Sequence, residues 1–135
     1  MIAKNSSDGI VKTFGLDRLS SLDITNVKFK RPDNFDIHEY YKYSFGIITP
    51  EDDPLDIILS FTPFQGKYIK TMPLHESQEI LVDDEKELRI KLKLSVTIDF
   101  IMELLSYGKN MKVISPDSLK EMIRKEKNNS SQIAQ

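Results

Sequence analysis

Leu88-Arg89-Ile90-Lys91-Leu92-Lys93-Leu94 alternates without a break, and a period of two puts apolar side chains on one face of a strand and basic ones on the other. Gln78-Glu79-Ile80-Leu81-Val82 precedes it across the acidic turn Asp83-Asp84-Glu85. The two runs read as a β-hairpin.

The flanking sequence extends the pattern. Leu55-Asp56-Ile57-Ile58-Leu59-Ser60-Phe61 is nearly continuous in apolar character and suits a central strand. Thr62 and Pro63 follow as N-cap and first helical residue of a helix running to about Thr71. Gly66 weakens that helix, Pro73 stops it, and Phe64, Tyr68 and Ile69 form its apolar side. After the hairpin, Thr97 caps a helix in which Ile98, Ile101, Met102 and Leu105 recur at helical spacing, and Gly108 ends it. Met111–Ile114 reads as a strand. Ser115-Pro116-Asp117 opens a last helix with Leu119, Met122 and Ile123 on one stripe, and the polar residues 128–135 read as a disordered tail. The order βαββαβ over residues 55–127, closed by a C-terminal helix, predicts an α+β domain: a ferredoxin-like antiparallel sheet with both crossover helices on one face. The other face, with Ile58, Leu81, Arg89, Lys91 and Lys93, is mixed in character and open to a partner or to the last helix.

The first 54 residues read differently. Residues 10–16 and 19–29 have strand composition, and Asp8-Gly9 is turn chemistry. A two-stranded ribbon is marginal alone in water, so residues 1–30 look like the end of another domain, and their unpaired edges favour a homo-oligomer. Residues 31–54 read as a connector in which Asp36 caps a short helix through Ser44, with Ile37, Tyr40 and Tyr41 along one side.

A length of 135 residues suits one domain and a fragment of a second. The chain has no cysteine and two histidines, His38 and His75. Disulfides and thiolate chemistry are excluded, and neither a metal nor a cofactor is expected. His38-Glu39 and His75-Glu76 are adjacent pairs whose side chains point apart, which suits surface or capping roles rather than a catalytic dyad. No apolar run approaches a membrane span and no secretory signal opens the chain, so a cytoplasmic protein without membrane contact is expected. The formal charge of −2 argues against bulk electrostatic binding of nucleic acid. A local basic cluster remains at Lys12, Arg18, Lys28, Lys30 and Arg31, and these are the candidate residues for a nucleic-acid or other anionic effector. Tyr40, Tyr41, Tyr43 and Phe45 offer either a stacking platform or, more simply, the pin that holds the connector.

Three stretches carry a family pattern: Lys12-Thr13-Phe14-Gly15-Leu16-Asp17-Arg18-Leu19, Ser44-Phe45-Gly46-Ile47 and Leu74-His75-Glu76-Ser77-Gln78. Together they resemble bacterial WYL-type transcriptional regulators. In that family a winged helix-turn-helix precedes an Sm-like β-barrel, the WYL domain, and a ferredoxin-like C-terminal extension follows. The resemblance implies that residues 1–30 are a β-ribbon remnant of the barrel, that residues 55–127 are the extension, and that the effector is a nucleic acid or nucleotide. The tryptophan-tyrosine-leucine segment and a helix-turn-helix are missing from this sequence. DNA is therefore expected to be read only through a helix-turn-helix domain outside it, and the chain reads as a C-terminal fragment. The function implied is a non-catalytic region for effector sensing and dimerisation. The alternative is a free-standing ferredoxin-like domain that binds a small molecule.

Overall fold

The computed structural model describes residues 1–46, 48 and 52–133. The chain divides into two compact units, Met1–Lys42 and Tyr43–Gln135, so the break falls inside the stretch read as a connector. Ile47 of the second family stretch and residues 49–51 lie outside the described residues.

In the first unit β1 (Ile2–Lys4) pairs antiparallel with β2 (Val11–Thr13), Ile2 opposite Thr13 and Lys4 opposite Val11. Asp8 and Gly9 make the turn between them. The Ile10 amide donates to Asp8 Oδ1 at 2.9 Å, and Gly9 adopts φ +71°, where an L side chain is strained. The strand expected at 19–29 does not form. Leu16–Arg18 folds into a 3-10 turn that ends β2, and β2 takes β1 as its neighbour. A short braced turn closes at low entropic cost, and this favours the nearer partner. Leu22, Ile24, Val27 and Phe29 remain 77, 100, 82 and 90% exposed. Helix α1 (Ile37–Tyr41) is capped by Asp36, which accepts from the His38 amide at 2.8 Å, and it ends short of Ser44. The Tyr41 hydroxyl meets Thr13 Oγ1 at 2.8 Å and so ties α1 to β2.

The second unit is the expected βαββαβ fold with a final helix: β3 (Leu55–Phe61), α2 (Pro63–Thr71), β4 (Glu79–Asp83), β5 (Leu88–Leu94), α3 (Ile98–Ser106), β6 (Met111–Ser115) and α4 (Asp117–Ile133). The sheet order is β4-β5-β3-β6 and every neighbouring pair is antiparallel. Each crossover thus passes one central strand, which is the ferredoxin-like arrangement. Thr62 and Thr97 cap α2 and α3 by accepting from the amides of Gln65 and Phe100, each at 3.4 Å. Ile57, Leu59 and Phe61 of β3 and Leu88, Ile90, Leu92 and Leu94 of β5 bury one face of the sheet against Ile69, Phe100 and Leu104. Leu119 and Ile123 of α4 enter the same core. The last helix therefore joins the helical layer, and Ile58, Arg89, Lys91 and Lys93 are left on the opposite face.

Three details depart from the sequence reading. On α3 the fully buried residues are Phe100 and Leu104, while Ile98 and Met102 are 55 and 62% exposed and Ile101 and Leu105 pack at the margin. The segment carries two overlapping apolar stripes, and the Thr97 cap and the sheet below select between them. On α2, Phe64 and Tyr68 face outward, and the buried residues are Gly66 and Ile69. A Cβ on Gly66 would stand 2.8 Å from Leu88 Cβ, so glycine is what lets α2 lie close on β5. Finally, the α4 backbone continues to Ile133, past Asn128 where a tail is expected. No proline or glycine lies there to break it.

Candidate effector-binding site

The five basic candidates do not converge as one cluster. Lys12 lies on β2 with its ammonium 2.6 Å from Asp8 Oδ2, and this pairing holds the Asp8 carboxyl below the usual range. Arg18, at the end of the 3-10 turn, is 3.9 Å from Asp17 in full solvent. Lys28 is exposed in a segment with no strand to align it with Lys30. Lys30 and Arg31 do come together, on the wall of a cavity of about 690 Å³ in the first unit.

That cavity is built from the ribbon, the segment Phe29–Pro32 and the first turn of α1, and Lys4 of β1 adds a third cation. Lys4 is invisible to sequence reasoning, because the three residues of its strand are too few to show an alternating pattern. Phe29, Phe35 and Tyr41 supply aromatic wall, with Ile2, Val11 and Ile37 beside them. Lys30 shares its charge with Asp33 at 2.8 Å. Among the described residues, Arg31 and Lys4 make no ion pair. Tyr40 packs against Phe35 and Tyr41 with ring centroids 5.3 and 5.0 Å apart, and the Tyr41 hydroxyl reaches Thr13 of β2, so these rings pack within the first unit, while Tyr43 and Phe45 belong to the second.

The second unit offers a smaller hollow of about 300 Å³ between the start of β3 and the start of α4, lined by Asp52, Asp53, Leu55, Val96 and Met122 among others. Its charged groups are carboxylates, which repel an anion. His75 serves structure. His75 Nδ1 accepts from the Ser77 amide at 3.1 Å, and Ser77 Oγ in turn accepts from the Lys93 amide at 2.9 Å, which fastens the loop before β4 to the end of β5. Gln78 completes the brace, accepting from the Leu74 amide at 3.0 Å and donating to the Ile69 carbonyl at 3.2 Å near the end of α2. The stretch Leu74–Gln78 is thus a helix-to-strand brace. Ser44–Gly46 braces α3 in a similar way, since Phe45 packs edge-on against Phe100 at 5.2 Å and its carbonyl accepts from Thr97 Oγ1. The Tyr107 hydroxyl is pushed up by burial and by its hydrogen bond to Glu103, while its ring packs on Phe61, so it is a half-buried residue at the margin of the core with a satisfied polar end.

No helix among the described residues is long and apolar enough to cross a membrane, and no group of three or more histidine and carboxylate side chains among them is placed to hold a metal ion. No curated protein matches the chain. The family model of the WCX domain matches residues 53–127, from just before β3 into α4 and more than half of the sequence. The chain therefore belongs to the WCX family, the C-terminal extension associated with WYL domains.

Proposed function

We propose that this chain is the effector-sensing and dimerisation region of a bacterial transcriptional regulator, that it works in the cytoplasm, and that it acts by binding and not by catalysis. Family membership supports the regulatory setting, and one surface carries the assembly reading. Phe64, Tyr68 and Met72 stand one helical turn apart on α2 and its C-cap and are 63, 56 and 76% exposed. The rings of Phe64 and Tyr68 touch edge-on at 5.6 Å. Single exposed apolar residues are ordinary, but an aromatic and methionine stripe is the composition of an interface centre. Its occupant in this proposal is a second copy of the chain. DNA is then read by a helix-turn-helix domain elsewhere in the regulator.

Light scattering after size exclusion at micromolar concentration tests this. The wild-type chain should run as a dimer, and Tyr68→Glu should run as a monomer with an unchanged far-ultraviolet circular dichroism spectrum. A wild-type chain that stays monomeric at every concentration would exclude the dimerisation role and favour a free-standing ligand-binding domain.

A further inference from the structure

The cavity of the first unit narrows the chemistry of the effector, an inference that rests on the effector-sensing reading. We propose that it binds a small aromatic carboxylate, and that a nucleic-acid strand is not its ligand. Three observations carry this. A cavity of about 690 Å³ falls in the range of small-molecule sites, about 300–1,000 Å³, whereas a strand needs a groove with cations spaced along its backbone. Such a track is missing here: Lys12 is taken by Asp8 and Arg18 stands beside Asp17, which leaves Lys28 alone of the basic candidates outside the cavity without an acid beside it among the described residues.

The second observation is the polarity of the lining. Lys4 and Arg31 present only donors and Lys30 shares its charge with Asp33, so the charged side chains of the wall select a polar end that accepts hydrogen bonds and carries negative charge. Arg31, without an ion pair among the described residues, offers the planar fork that fits a carboxylate through two parallel bonds. The third observation is the remaining wall. Phe29 is 90% exposed, and Tyr41 has its hydroxyl engaged by Thr13, so both offer ring surface without a competing polar demand. A flat apolar body seated among Phe29, Phe35 and Tyr41, with its carboxylate on Arg31, would remove that surface from water and satisfy the guanidinium together.

Isothermal titration of the full chain with 1-naphthoate, its neutral counterpart 1-naphthalenemethanol and a ten-residue oligothymidylate tests the assignment. Naphthoate should bind saturably below about 1 mM, and the alcohol at least tenfold more weakly, the ratio expected when one charge-assisted bond is lost. Arg31→Gln should weaken naphthoate by a similar factor, Arg31→Lys should recover part of it, and Lys86→Gln, in the β4–β5 turn, should change nothing. Saturable binding of the oligonucleotide without naphthoate would overturn the assignment and leave effector sensing in place. Binding of neither would overturn it as well and turn the apolar wall into a packing surface, with the light-scattering result then deciding what remains of the function.

Discussion

Gly66 shows how two effects of opposite sign are separated by geometry. Alanine at an open helical site stabilises by about 1 kcal/mol relative to glycine. At this site the added Cβ would meet Leu88 Cβ at 2.8 Å, and forcing an extra methyl into a packed core costs about 1–3 kcal/mol. Gly66→Ala should therefore lower the thermal midpoint, and a raised midpoint would show that α2 can lift from β5. Glu87 makes a second test. Its carboxyl is held below the ordinary value of 4.5, chiefly by the Ser60 hydroxyl that donates to it and then by Arg89. A carboxyl depressed by folding adds stability above its unfolded pKa and loses it as pH falls through the folded value, so the contribution disappears on the acid side of that range. Ser60→Ala should move the Glu87 titration upward in a carbon-detected NMR experiment. An unmoved titration would assign the shift to Arg89 alone.

Among the elements, those whose signals are local are readable in the sequence. Thr62 and Thr97 announce their helices because a cap is a contact within one turn, and β5 announces itself because alternation needs no knowledge of its neighbour. The pairing of β2 is not readable, since any strand-like segment within reach competes and only the closure of the Asn5–Ile10 turn decides. The face of α3 is ambiguous for a related reason: Ile98-Asp99-Phe100-Ile101-Met102 supports two stripes, and what lies beneath the helix chooses. The choice has a measurable consequence. Leu104→Ala and Phe100→Ala should each cost about 2–5 kcal/mol in chemical denaturation, because they empty a filled core position. Ile98→Ala and Met102→Ala should stay within about 0.5 kcal/mol of wild type. If the outward pair cost as much as the inward pair, the helix would be rotated from the position described. The candidate site shares the weakness of β2. Lys30 and Arg31 are visible as charges, but their union with Lys4 and three aromatic rings depends on which strands pair.

On the scale of the whole chain, stability is distributed unevenly. Every buried apolar residue among the described ones lies between Ile57 and Ile123, while residues 1–42 hold none. Opening free energy follows buried contact. Amides of β3 and β5 should exchange with solvent only on global unfolding, and those of β1 and β2 orders of magnitude sooner. Equal protection in the two units would mean that the first is buried by something else, such as a second copy.

The exposed run from Leu22 to Phe29, which pairs with no strand, also marks where the polypeptide will be cut. A protease must draw an extended segment into its cleft, and backbone held in no ladder yields without any unfolding of its neighbours. Lys28 and Lys30 put two tryptic bonds in or just beyond that run, while Pro32 shields the bond after Arg31. The bond after Lys30 lies on the cavity wall. Brief digestion should nick the chain there first. The rate of that nick, followed with and without an aryl carboxylate, would report occupancy by mass alone, without a label.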